Sequence, residues 1–497
     1  MKKLFWGKWP FLLKLRCFLG IVILLLITIF FYLKIVPGGE ITYYRNYYQK
    51  KSIFSFLNGR GFIYNFSPID RTDQNFKDGV SMIGDPLYFS IFTPRTFNKA
   101  KITIVYKNKL QIDTPIVEAG VLVDKLIWRY DLKPLGNKTL DYLSLAMDKQ
   151  EKDGILFLQA EKNYDSFLDF QEDLNKGQIK GCARPLNECL SVYNYTPKYS
   201  YHLANYQQSL PVVLDKVLRG PHQFYVYLKD EKIHLEFDFL ISPLAAQFSP
   251  IEVILSADNR VITSRSLSSD VLSSEKSQRL ILEENNLPAG VYKVEIKASE
   301  DILIKRISSS LNRFVFINKI RLAENEEPIT FYTDSNYLQT KALSPASRQT
   351  IRFAETPFSL DEAYRQFDFK TESTLPVKEI KINKGEIVLE NNGVFSWQEG
   401  NLFNPSLKKI DRFFSVSEKT PYAIAEYTKP IEKEGVITAT VELDIKHAYR
   451  EDGKYSFMIS VPGLKVEDRI NDNLEIYSLE VKLSGRTLWE KIKSWKP

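Results

Sequence analysis

Histidine and cysteine are scarce in this 497-residue chain: four histidines and three cysteines. Hydrolases of the Ser-His-Asp or Cys-His type need a histidine beside a nucleophile on a sharp turn, and no G-x-S-x-G occurs. H-E-x-x-H, G-x-x-x-x-G-K-[ST] and G-x-G-x-x-G are also missing, so the common zinc and nucleotide signatures are excluded. We therefore assign no catalytic residue, no metal ligand and no cofactor. No Pro/Gly-rich or low-complexity tract points to disorder, and 44% hydrophobic with 26% charged residues is the balance of ordinary globular protein.

A surplus of positive charge is missing as well, once its position is considered. Lys2, Lys3, Lys8, Lys14, Arg16 and Lys34 account for the whole formal net charge of +6, which leaves residues 35–497 neutral. Nucleic acid requires a clustered basic face and is excluded as a partner. The basic residues instead flank the one long apolar run, CFLGIVILLLITIFFYL, which extends past Lys34 to give residues 17–36. At about 1.5 Å per residue this run matches a hydrocarbon core of roughly 30 Å. The expectation is a transmembrane signal-anchor helix in the lipid bilayer: residues 1–16 form a cytoplasmic tail and the C-terminal bulk lies outside a cell membrane crossed once. A cleaved signal peptide is the competing reading. Its apolar core is usually only about 7–15 residues long, and Ile35-Val36-Pro37-Gly38-Gly39 offers no small-x-small site.

What is abundant is aromatic and β-branched residue in short runs. There are 32 Phe and 27 Tyr, and aromatics make up 13% of the chain. LYFSIF (87–92) and GILFLQA (154–160) read as strands, and KITIVYKN (101–108), QFYVYL (223–228) and KIHLEFDFLIS (232–242) show the period of two that separates the two faces of a strand. The fold class expected is an all-β ectodomain of two or three antiparallel β-sandwich-like domains behind one N-terminal transmembrane α-helix. The blocks are 37–205, 206–325 and 326–497, with the polar run Ala323–Pro328 as a linker. Two short helices are expected, 167–177 ending at Gly177 and 359–367 capped by Ser359 with Glu362. The string LPAGVYKVEI (287–296) resembles the late hairpin of many bacterial exterior β-sandwich modules, and no functional residue is carried over from it.

GCARPLNEC places Cys182 and Cys189 around Pro185, which reads as a local disulfide on the exterior side. Glu236 and Asp238 share one strand face at roughly 6–7 Å, a separation of the kind glycosidases use. The bland reading is a solvated face. Trp128, Tyr130, Tyr225, Tyr227 and Trp397 offer stacking surfaces for sugar rings, with core packing as the alternative. Asp258 and Asn259 read as a hairpin tip in preference to a calcium loop. Sequons stand at Asn65, Asn137 and Asn194. The functional expectation is a membrane-anchored surface protein that binds a glycan, an envelope polymer or a protein partner. A polysaccharide-acting envelope enzyme and an accessory subunit of a membrane complex are the alternatives.

Overall fold

Alternating sequence becomes alternating burial along the strands. In Ile233–Ile241 every second residue is buried, and in Lys99–Asn108 the core takes Ala100, Ile102, Ile104 and Tyr106 while the lysines and Thr103 face outward. The computed structural model describes residues 11–494 except 36–38, 48–62, 74, 111–114, 183–185, 200, 204–205, 208–209, 242–249, 258–259, 269–275, 326, 415–419 and 467–471. It is built mainly of antiparallel sheets, as the fold class requires. The Asp258-Asn259 tip lies outside the described residues, although Ile251–Ala257 and Arg260–Leu267 pair on either side of it.

Two compact units divide the chain: residues 1–142 with 428–497, and residues 143–427. The first is a sandwich assembled from both ends of the sequence. Leu474–Ser484 pairs with Glu40–Asn46, Val80–Met82 and Lys99–Asn108, and Lys99–Asn108 pairs in turn with Val436–Asp444. The opposing sheet joins Leu87–Phe92, Lys454–Ser460, Ile116–Asp124 and Arg129–Asn137. One core, including Phe89, Ile104, Val121, Phe457 and Leu479, fills the space between them.

The second unit carries long antiparallel sheets and one small mixed sheet. His222–Leu228 and Ile233–Ile241 flank the turn at Lys229–Lys232 but do not pair with each other. The former joins Gly290–Lys297 and Phe314–Leu322, the latter Gln278–Glu284 and Ile302–Ser309. The chain thus crosses between sheets at that turn, and Phe224 meets Phe237 in the core at 6.3 Å. In the small sheet Leu190–Tyr193 runs parallel to Tyr422–Glu426 and to Lys408–Lys409, against an antiparallel Ile155–Gln159. This arrangement lies outside the antiparallel sandwich expectation. Its helix, Phe167–Asn175, is capped by Ser166 and followed by Gly177 at a φ of 74°.

Two local expectations need correction. Residues 359–367 are not a helix: Ser359 lies in Thr356–Leu360 opposite Thr350, Gln366–Lys370 pairs with Tyr337–Lys341, and Tyr364 has a φ of 64°. Stacking of Phe358 on Phe369 at 4.2 Å, with the ladders around it, outweighs the capping-box signal. The run from Ala323 is not a free linker either. Ala323 is buried, its amide donates to Val217 O, and Asn325 Nδ2 donates to Val217 O and Ala323 O. Phe314–Leu322 pairs with Ile387–Ser396, so hydrogen bonding crosses the boundary drawn near 325. The 37–205 and 326–497 blocks are each shared between the two units, because the closing strands of the first sandwich come from the end of the chain.

Phe11–Ile35 is a 25-residue helix with Ile21, Leu24, Leu26 and Phe30 more than half exposed. Described side chains within it run unbroken only from Leu15 to Phe31. Over the described residues no helix is long and apolar enough to cross a membrane.

Candidate functional site

The outer face of the first sandwich holds a cleft of about 510 Å³, made by a break in strand pairing. Along one edge, Leu474–Ser484 is paired by two different strands: Glu40–Asn46 covers residues 478–484 and Val80–Met82 covers 474–476. On its other edge the register with Lys99–Asn108 shifts between Ile476 and Ser478, which leaves Tyr477 as an extra residue in the ladder. A bulge of this kind re-aims side chains. Residues 75–79 form the far wall with Phe76 and Asp78. They approach closely because residue 79 is glycine, where a Cβ would stand 2.5 Å from Ile476 O.

The floor is polar and tied together. Glu475, 4% exposed, forms an ion pair with Lys109 and accepts a hydrogen bond from the Tyr477 hydroxyl at 2.8 Å. Burial first, then the bond to Glu475 and the negative charges of Glu475 and Asp78, push the Tyr477 phenol up to about 12. At neutral pH it is a donor to this floor. Tyr44 and Asn46 line the same cleft from the neighbouring strand, and Lys107 from the strand beyond. Two lysines against two carboxylates give a neutral lining. Aromatic walls with both donors and acceptors in a cleft of this size suit a neutral polyhydroxylated ligand better than a phosphate.

The residues singled out in sequence behave differently. Glu236 and Asp238 share a face, but Arg279 occupies the space between them: its Nε is 3.0 Å from Asp238 Oδ1 and its Nη1 3.5 Å from Glu236 Oε2. His234 Nε2 lies 3.0 Å from Glu236 Oε1, and this bond first, with Arg279 nearby, holds the Glu236 carboxyl below its usual range. A general acid needs a raised pKa, the opposite of what Glu236 shows, and with Arg279 and His234 the carboxylates form a surface ion cluster. Tyr227 is buried against Tyr206 and Phe403, Tyr225 is partly buried, and Trp397 packs on Phe314 at 4.6 Å. None of these three is an open platform. Trp128 does not share a strand face with Tyr130: it lies in the turn before Arg129–Asn137 with a φ of 49° and is 64% exposed. Tyr130 sits 5.7 Å from Tyr88 and lines a smaller recess of about 400 Å³ with Arg129 and the exposed His447. His202 is exposed on a loop.

Cys182 and Cys189 are bonded, with Cα atoms 6.0 Å apart, beside the core of the small mixed sheet. Asn65 is exposed. Asn137 is 1% exposed and accepts from Leu140 N at 3.1 Å, opening the helix Lys138–Ala146. Asn194 has a φ of 49° and reaches Glu426 Oε2 at 3.4 Å. Among the described residues no His/Cys/Asp/Glu group is placed to hold a metal ion. Sequence reasoning missed the cleft because its parts come from four separated segments. The one available sign was Glu475 and Tyr477 spaced two apart on the strand EIYSLEVKLS.

No family model matches the chain, and no curated protein matches it. Solved structures with weak likeness include dimeric latent PorU from Porphyromonas gingivalis at 11% identity, covering 61% of this chain with a TM-score of 0.14. The chain spans 33% of that protein. The tandem CBM22 domain of Paenibacillus barcinonensis Xyn10C matches at 6% identity over 52% of this chain and 81% of its own, with a TM-score of 0.13. The infectious bursal disease virus VP2 subviral particle matches at 9% identity over 91% of this chain and 82% of its own, with a TM-score of 0.14. At such scores none of these likenesses bears on function.

Proposed function

We propose that this chain is a membrane-anchored surface protein whose β-rich exterior part binds a partner, and that the partner is a saccharide segment of a glycan or envelope polymer seated in the cleft at Tyr477. The observation that carries the reading is the break in strand pairing around the bulge. It leaves three aromatic side chains, Tyr44, Phe76 and Tyr477, around a neutral polar floor on the open face of a sheet. The anchor reading is supported by the exposed apolar side chains from Phe18 to Phe31 on the helix Phe11–Ile35, whose 25 residues reach roughly 37 Å. Lys2, Lys3, Lys8, Lys14 and Arg16 at the N-terminal end favour a cytosolic N-terminus. Catalysis on the polymer has no support from Glu236 and Asp238, which Arg279 bridges.

Full-length protein in detergent, passed over envelope fractions and a glycan panel, tests the binding. Retention of the wild type without release of sugars, weakened by Tyr477→Ala and by Tyr44→Ala, is expected. Retention that both variants leave unchanged removes the cleft from the reading. Sugar release abolished by substituting a single Asp or Glu replaces binding with catalysis. Orientation is tested by protease added to intact cells, which should digest beyond residue 40. Protection of the exterior part until the membrane is opened refutes the topology.

A further inference from the structure

After the last strand of the first sandwich the chain makes one short helix, Leu488–Lys493, whose start is rigidly set. Thr487 Oγ1 accepts from Glu490 N at 3.3 Å, and Glu490 Oε2 accepts from Thr487 N at 2.9 Å, closing a capping box. Its root is tied to the beginning of the sandwich. Gly485 N donates to Gly39 O at 2.8 Å, and Arg95 Nη2 donates to Gly39 O at 3.4 Å and to Arg486 O at 3.5 Å. Gly39 stands four residues beyond Ile35, where the long N-terminal helix ends, and four residues of chain reach at most about 14 Å. The short chain to Gly39 and the hydrogen bond from Gly485 N to Gly39 O together keep the root of the last helix beside the end of the first.

The exposed side of this helix is unusual for a neutral soluble surface. Trp489 is 72% exposed and Ile492 44%, three residues apart and therefore on one face. Lys491 and Lys493 fall in the same last turn. An indole and an aliphatic side chain rimmed by lysines match the headgroup boundary of a bilayer, where Trp is favoured and lysine stems extend to the phosphates.

We propose that Leu488–Lys493 is an interfacial helix that sets Trp489 and Ile492 into the lipid surface next to the anchor. The proposal rests on Phe11–Ile35 being the membrane anchor, and the surface that receives the helix is lipid. The reasons are the proximity to the point of exit and the complementarity of the lysines to anionic headgroups. With two lipid contacts the first sandwich has a fixed attitude to the bilayer, which a single tether would not impose.

The test uses the full chain, with Cys17→Ser and the native disulfide kept, reconstituted in phosphatidylcholine–phosphatidylglycerol vesicles with and without doxyl-labelled lipid. One sample carries an environment-sensitive fluorophore at Ile492→Cys, a second at Phe31→Cys. Both substitutions are at exposed positions, so folding is not at stake. Blue-shifted emission and quenching by doxyl lipid at both sites are expected, with quenching at position 492 diminished by adding Trp489→Ser. Quenching at 31 without quenching at 492 overturns the interfacial helix and leaves the anchor standing. Quenching at neither site overturns both.

Discussion

His222 is the histidine on which stability should depend most visibly. It is 2% exposed, Nδ1 lies 3.1 Å from Gly220 O, and Nε2 accepts from Arg321 N at 3.1 Å. The acceptor role of Nε2 assigns the proton to Nδ1, so the neutral ring satisfies both backbone groups. A second proton would set Nε2–H against Arg321 N–H inside the core. Burial first, with Lys319 and Arg321 adding repulsion, brings the ring from 6.5 down to about 4. The folded state therefore binds fewer protons than the unfolded one between these values. The stability is fully present above about pH 6.5 and is lost as pH falls toward 4. A difference of this size corresponds to about 3 kcal/mol. The perturbation is His222→Gln, which keeps a donor and an acceptor but does not titrate. Urea unfolding of wild type and variant between pH 7.5 and 4, followed by Trp397 fluorescence, reads the same core, because Trp397 and His222 both pack against Phe316. Wild type should lose about 3 kcal/mol more than the variant over this window. Parallel pH profiles would refute the buried neutral ring.

Removing the Cys182–Cys189 bond by a double serine substitution should cost about 2 kcal/mol through loop closure alone. The loss should appear as earlier proteolysis within the small mixed sheet, while the first sandwich keeps its protection. In a glycosylating host the folded fraction should carry sugar at Asn65 and none at Asn137, because Asn137 is buried at a helix start. Peptide mass mapping decides this, and an occupied Asn137 in folded protein contradicts the packing.

Much of the local structure was legible because strand periodicity is written into neighbouring residues. Ile102, Ile104 and Tyr106 could be assigned to one buried face, and Gly177 marked the end of the helix that starts at residue 167 through C-capping chemistry that acts within a few residues. The helix expected at 359–367 failed for the complementary reason: a capping box contributes about 1 kcal/mol, less than the strand ladders and the Phe358–Phe369 stack that hold those residues elsewhere. The pairing of Glu236 with Asp238 was also visible, but Arg279 is 41 residues from Asp238 in sequence and changes what the pair can do.

From its sequence alone this protein was determined to be β-rich, neutral beyond its first residues, headed by one long apolar run, and without nucleotide or zinc signatures. Only the tertiary structure decided that residues 40–46 close a sandwich with residues 478–484, that the chain crosses between sheets at Lys229–Lys232, and that a bulge at Tyr477 opens a cleft. The period of burial depends on residues two apart and is set within each strand, whatever strand it pairs with. Which strands pair depends on the best simultaneous packing of segments hundreds of residues apart, and no local pattern encodes that choice.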